Sequence, residues 1–185
     1  PLEQIATTGD HTDYLWYSFA NPKPYTASTK VTLSFTSGSA GGGLFYIFAN
    51  GQVVGSVLGA AGKPPISRVS GNVGGDDRYP VSVDVTLPAG DVTIDILSVS
   101  MGLQNYGPYL EKVMVGIISE VKVDGTTVHQ YKQSIGLLGE AMGLPNQKIP
   151  EKTQVSDCSL MCWYSGTFKT PAVSKDSRLA LELSS

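Results

Sequence analysis

Six glutamates, an adjacent aspartate pair, two histidines and two cysteines are the side chains of most chemical interest in this 185-residue sequence. The glutamates are Glu3, Glu111, Glu120, Glu140, Glu151 and Glu182, and none lies in a catalytic motif. Asp76 and Asp77 are weak candidates for a calcium site, because Ca²⁺ takes six or more oxygens and neighbouring loop residues usually point apart. Cys158 and Cys162 have a C-x3-C spacing, and neither His11 nor His129 stands at a finger-like distance from them, so no zinc site is expected. In an extended segment those cysteines sit ~13 Å apart, too far for a disulfide, although a compact turn would allow one. Neither histidine belongs to a nucleophile elbow. "GSAGGG" at 38–43 lacks the lysine of a phosphate loop. The residues themselves give no catalytic or metal site and no cofactor.

Two stretches are better placed for binding. "HTDYLWYSF" at 11–19 holds four aromatics, Tyr14, Trp16, Tyr17 and Phe19. In a strand, Leu15, Tyr17 and Phe19 share one face and Tyr14, Trp16 and Ser18 the other. The first set reads as core. Trp16 then either stacks on a sugar or packs against a neighbouring domain, and the second accounts better for aromatics on both faces. In "GLQNYG", Asn105 and Tyr106 lie between Gly102 and Gly107. Glycine permits a sharp turn, and asparagine tolerates the left-handed conformation. Tyr106 is either a buried turn residue or a ligand-facing one.

The elements that must position these residues are strands. "KVTLSFT" turns Val31, Leu33 and Phe35 to one side, and "VSVDVTL" does the same with Val81, Val83, Val85 and Leu87. "VTIDILSV" places Val92, Ile94 and Ile96 opposite Asp95, and "RLALELS" groups Leu179, Leu181 and Leu183. Leu44–Ala49, the longest apolar run, suits a buried strand. Asn50-Gly51 and Asp124-Gly125 suit tight hairpins, and "LPAGDV" reads as a further turn. "SIGLLGEAMGL" has room for one helical turn. Residues 38–43 and 59–79 read as loops. With 21 Gly, 11 Pro and 16% charged residues, the composition is all-β, a β-sandwich or jelly roll.

The net charge is −3 with scattered Lys and Arg, which argues against a nucleic-acid partner. No apolar run reaches the ~18–20 residues of a membrane span. The start at Pro1 reads as a cut from something longer, with a processed terminus as the alternative. A module at 1–140, a linker or irregular loop at 141–157, and a second β module or completing strands at 158–185 are expected.

Several stretches in order resemble the β-sandwich region that follows the catalytic barrel in plant-type β-galactosidases of glycoside hydrolase family 35. They are "TDYLWYSF", "YIFANGQVVGSV", "LPAGDVTIDILSVSMGLQNYGPYLEK", "GIISEVKVDG", "IGLLGE" and "CWYSGTFKTP". His129-Gln130-Tyr131 stands where members often carry a tryptophan. The resemblance implies a galactose-binding-like jelly roll. It implies a non-catalytic accessory role, bracing a barrel this chain lacks, with Tyr106 near the barrel's mouth. Retaining glycosidases use two carboxyl groups ~5–5.5 Å apart, and in the family both are barrel glutamates. The partners implied are the barrel and neighbouring β domains of the same polypeptide, and galactosides if the chain is instead an autonomous carbohydrate-binding module. The location implied is secreted, cell-wall, or lysosomal or vacuolar.

Overall fold

The computed structural model describes residues 3–38, 43–59, 78–100, 102, 113–144, 160, 163 and 169–170. The chain divides into two compact units, Pro1–Leu137 and Leu138–Ser185. Among the described residues, the first unit contains α1 (Gln4–Thr8) and nine strands: β1 (Tyr14–Ala20), β2 (Thr29–Gly38), β3 (Leu44–Ala49), β4 (Gln52–Leu58), β5 (Arg78–Leu87), β6 (Thr93–Val99), β7 (Lys122–Val123), β8 (Thr126–Thr127) and β9 (Lys132–Ile135). They form a five-stranded sheet in the order β4-β3-β6-β1-β9 and a four-stranded sheet in the order β5-β2-β7-β8. The strand pairs are antiparallel. This is the all-β sandwich expected from the alternation.

The core lies between the sheets. Leu15, Tyr17 and Phe19 enter it from β1, Val31, Leu33 and Phe35 from β2, and Phe45, Ile47 and Ala49 from β3. Phe35 meets Phe45 edge to face across the sandwich, with centroids 4.9 Å apart. Val81, Val85 and Leu87 of β5 are buried, while Val83 is only partly buried on this edge strand. A Cβ at Gly55 would come within 2.9 Å of Val85 Cγ1, so a glycine lets β4 approach the opposite sheet.

Both expected hairpins form. Asn50 and Gly51 have φ of 48° and 78°, and Asp124 and Gly125 have 47° and 78°, the left-handed pairs that join strands with their natural twist. At the end of the stretch read as a loop at 59–79, Arg78 and Tyr79 open β5, and residues 60–77 lie outside the described residues. The "RLALELS" run, Cys158 and Cys162 lie outside the described residues. Glu120 is exposed on the segment leading into β7.

Two features depart from the sequence reading. α1 is a helix of five residues, too short to show a period. Glu3 caps it by accepting the Ala6 N–H at 2.8 Å, and Gly9 closes it at φ 58°. The second is β3, which is not buried on both faces: Phe45, Ile47 and Ala49 are buried, while Leu44, Tyr46 and Phe48 are half-exposed. In the second unit, α2 (Leu138–Ala141) is the single helical turn expected, and the indole of Trp163 packs against Gly139.

Candidate interaction surface

Opposite residues of antiparallel strands project to the same face. The register therefore defines three rows on the side of the five-stranded sheet away from the core. One row runs Trp16, Leu97, Tyr46, Ser56; the next Ser18, Asp95, Phe48, Val53; the third Tyr14, Val99, Leu44, Leu58. Nine of these twelve positions are apolar or aromatic, and Asp95 carries the one charge among them; on β9 the first two rows continue into the exposed Ser134 and Lys132. Val53 and Leu58 are 43% and 52% exposed.

Trp16 organises the surface. Its strand and that of Phe48 flank β6, and the two rings meet with centroids 5.3 Å apart at a 48° tilt. Leu97 of β6 is fully buried although it points away from the core. The Trp16 indole N–H donates to the Gly136 carbonyl at 3.0 Å, which fixes the ring. An indole has one polar hydrogen, so none remains for a ligand hydroxyl. Arranged in this way, the surface can bury apolar atoms but offers little to a polar ligand.

The polar groups nearby hold the fold. Gln4 is buried. Its amide nitrogen donates to the Asp13 carbonyl at 2.8 Å, and its oxygen accepts from the Ser98 hydroxyl at 2.7 Å. The Gln4 N–H donates to the Val115 carbonyl at 3.2 Å, and the Glu3 carboxylate accepts the Val115 N–H at 2.8 Å. Tyr17, inside the core, accepts the Ile117 N–H on its hydroxyl at 3.3 Å. Burial pushes its phenol well above 10.0, opposed by that hydrogen bond and reinforced by the Glu3 charge. Gly116 passes these groups at φ 79°, and a Cβ there would lie 2.7 Å from Gln4 Oε1 and 2.8 Å from the Tyr17 hydroxyl. With its two oxygens capping backbone N–H groups, Glu3 is structural.

On the four-stranded sheet the outward side is polar. Lys30 pairs with Asp84 at 2.9 Å, and the Thr32 hydroxyl donates to Asp84 at 2.7 Å. The Lys30 hydrogen bond, then that of Thr32, holds the Asp84 carboxyl below its ordinary range. At one end Asp124 accepts the Thr32 N–H at 2.8 Å and the Tyr25 hydroxyl at 3.3 Å. Burial, then the Asp124 charge, raises the Tyr25 phenol above its ordinary value.

Of the candidate binding residues, Trp16 lies within this surface, with Tyr14 and Ser18 on the same face as the strand period requires. Asn105, Tyr106, Asp76 and Asp77 lie outside the described residues. Among the described residues, no group of three or more His, Cys, Asp or Glu side chains is placed to hold a metal, and no helix is long and apolar enough to cross a membrane. Sequence reasoning missed Phe48, Leu97, Val53 and Leu58. For Phe48 and Leu97 the signal was the failure of alternation in "LFYIFA" and "DILSV", where both parities are apolar.

No family model matches the chain. It is 31% identical over 186 aligned positions to Beta-galactosidase 6 of Oryza sativa subsp. japonica, covering 92% of the chain and 20% of that protein. It is 32% identical over 190 positions to Beta-galactosidase 8 of Arabidopsis thaliana, covering 94% and 20%. For Beta-galactosidase 7 of Oryza sativa subsp. japonica the figures are 26% over 181 positions, 92% and 22%. The chain therefore spans about a fifth of the length of the curated relatives it matches.

Proposed function

We propose, from the premise that this chain is related to plant β-galactosidases over one segment of their length, that it is a non-catalytic accessory module. Its role is to brace the catalytic domain of a longer β-galactosidase-like polypeptide. The observation that carries this reading is the match itself: nearly the whole chain aligns, yet to only a fifth of each relative.

The chemistry of the described residues supports it. A retaining glycosidase needs two carboxyl groups ~5–5.5 Å apart, one as nucleophile and one as acid/base. Glu3 is committed to capping, Glu120 is exposed ahead of β7, and Glu140 sits in α2. In this reading the reaction belongs to a barrel elsewhere in the polypeptide. Asn105 and Tyr106 are assigned to the rim of its site, the fold is a galactose-binding-like jelly roll, and the protein works outside the cytoplasm. Residues 158–185 begin a second β module or complete the first.

The aromatic rings of Trp16 and Tyr46 favour a second reading, an autonomous module that binds galactose-containing glycans. Purified chain tests both. It is expected to leave aryl β-galactosides intact and to bind galactose with a Kd above ~1 mM. Turnover lost on mutating one of its own glutamates would make the chain an enzyme. Saturable micromolar binding of galactose would establish the second reading.

A further inference from the structure

We propose that the apolar part of the outward side of the five-stranded sheet, from β1 to β4, is the seam against another folded domain of the same polypeptide, with the row Trp16, Leu97, Tyr46 across its middle. This rests on the accessory-module reading and adds to it the face that makes the contact. From β1 to β4 the face is apolar on both sides of β6 and holds Asp95 as its one charge, with the exposed Lys132 and Ser134 of β9 along its polar border, and it leaves Leu58 and Val53 about half exposed.

Three occupants compete: a glycan, a second copy of the chain, and a tethered domain. A glycan needs convergent donors and acceptors beside its stacking rings. Here the Trp16 N–H is bound to Gly136, its ring is tilted against Phe48, and Leu97 fills the position between the Trp16 and Tyr46 strands. The size of the face decides between the other two. Three rows across four strands cover roughly 400 Å², from the ordinary strand spacing and rise. A stable interface between separate proteins buries about 800 Å² on each partner, twice that. Domains joined in one chain do not lose the translational freedom of free partners, and their interfaces start at about 600 Å² in total, which this face supplies with its mate. The relatives supply the partner, because about four-fifths of their length lies outside the matched segment.

The test uses two isosteric or near-isosteric cysteine variants, each made in the 185-residue chain and in the longer polypeptide. Ser56→Cys reports the apolar face and Thr86→Cys the outward side of the other sheet; both parent residues are exposed. Alkylation is followed peptide by peptide, so that Cys158 and Cys162 are read separately. The Ser56→Cys site is expected to react quickly in the chain alone and severalfold more slowly in the longer polypeptide, with Thr86→Cys equally fast in both. Equal rates for Ser56→Cys in both would overturn the seam. So would protection in the chain alone that grows with its concentration, which marks a second copy, or that appears on adding a galactan, which marks a glycan. Hydrolysis of aryl β-galactosides by the longer polypeptide is measured in parallel. An active polypeptide with an unprotected Ser56→Cys site removes the seam and leaves the accessory reading. A protected site in an inactive polypeptide keeps the seam and removes that reading.

Discussion

On β2 the residues turned away from the core are Lys30, Thr32, Ser34 and Thr36; on β3 they are Leu44, Tyr46 and Phe48. The two strands contribute similar side chains to one core, and Phe35 of one touches Phe45 of the other. Their outward sides differ because their surroundings differ. Threonine and serine on a pleated surface satisfy themselves with water and with partners such as Asp84. A surface of Trp, Phe and Leu gains only when something apolar covers it. About 25 cal/mol is at stake for each Å² of apolar surface removed from water, so covering the exposed Val53 and Leu58 and the half-buried rings beside them is favourable. The comparison teaches that alternation marks the sheet face that meets solvent, and that loss of alternation marks the face that meets another surface.

The largest effect concerns what the two sheets share. Leu15→Ala removes a fully buried side chain from β1. It is expected to destabilise the chain by about 2–5 kcal/mol in chemical denaturation. An unchanged midpoint would mean that the sheets do not share this core.

Tyr17→Phe is a smaller change at the same place. It leaves the Ile117 N–H without its buried acceptor, at a cost of about 1–3 kcal/mol at neutral pH. The alkaline behaviour sharpens the assignment. The folded-state phenol is raised above 10.0, so the folded chain holds its proton after the unfolded chain has lost it. That contribution is fully present below pH 10 and is lost as pH rises toward the folded-state value. The wild-type chain should lose stability above pH 10, and Tyr17→Phe should lose distinctly less. Tyr131, also raised by burial, retains part of the slope. Identical alkaline slopes would place the Tyr17 hydroxyl in water.

The smallest effects separate the outward faces. Val53→Thr and Leu58→Thr keep β-branched or strand-compatible shapes on exposed positions, and each should change the isolated chain by less than about 0.5 kcal/mol. In the longer polypeptide both should cost more, while Thr86→Val on the polar face should change neither protein. Equal costs in both settings would erase the distinction between the faces.

Much of the sandwich was legible because half-buried strands write their period into the chain. Val31, Leu33 and Phe35, and Leu15, Tyr17 and Phe19, are buried as that period requires. The hairpins were legible because Asn-Gly and Asp-Gly tolerate positive φ. What escaped was local or relational. α1 is set by the Glu3 cap and by Gln4 reaching Asp13 and Ser98, contacts no window of sequence displays. β3 read as doubly buried because apolar residues on an outward face look the same as core until the register is known. Trp16 was legible as a surface residue. Its company was not, since Phe48 and Leu97 reach it only through strand pairing with β6.

In the longer polypeptide the apolar outward face is expected to be covered. Hydroxyl-radical footprinting of the unmodified protein tests it on the native side chains. Oxidation of Trp16, Tyr46 and Phe48 is compared between the 185-residue chain and the longer polypeptide, with Tyr25 near the other sheet as the reference. The account predicts a severalfold fall in oxidation of the three rings in the longer polypeptide, with Tyr25 unchanged. Rings that oxidise at the same rate in both would contradict it.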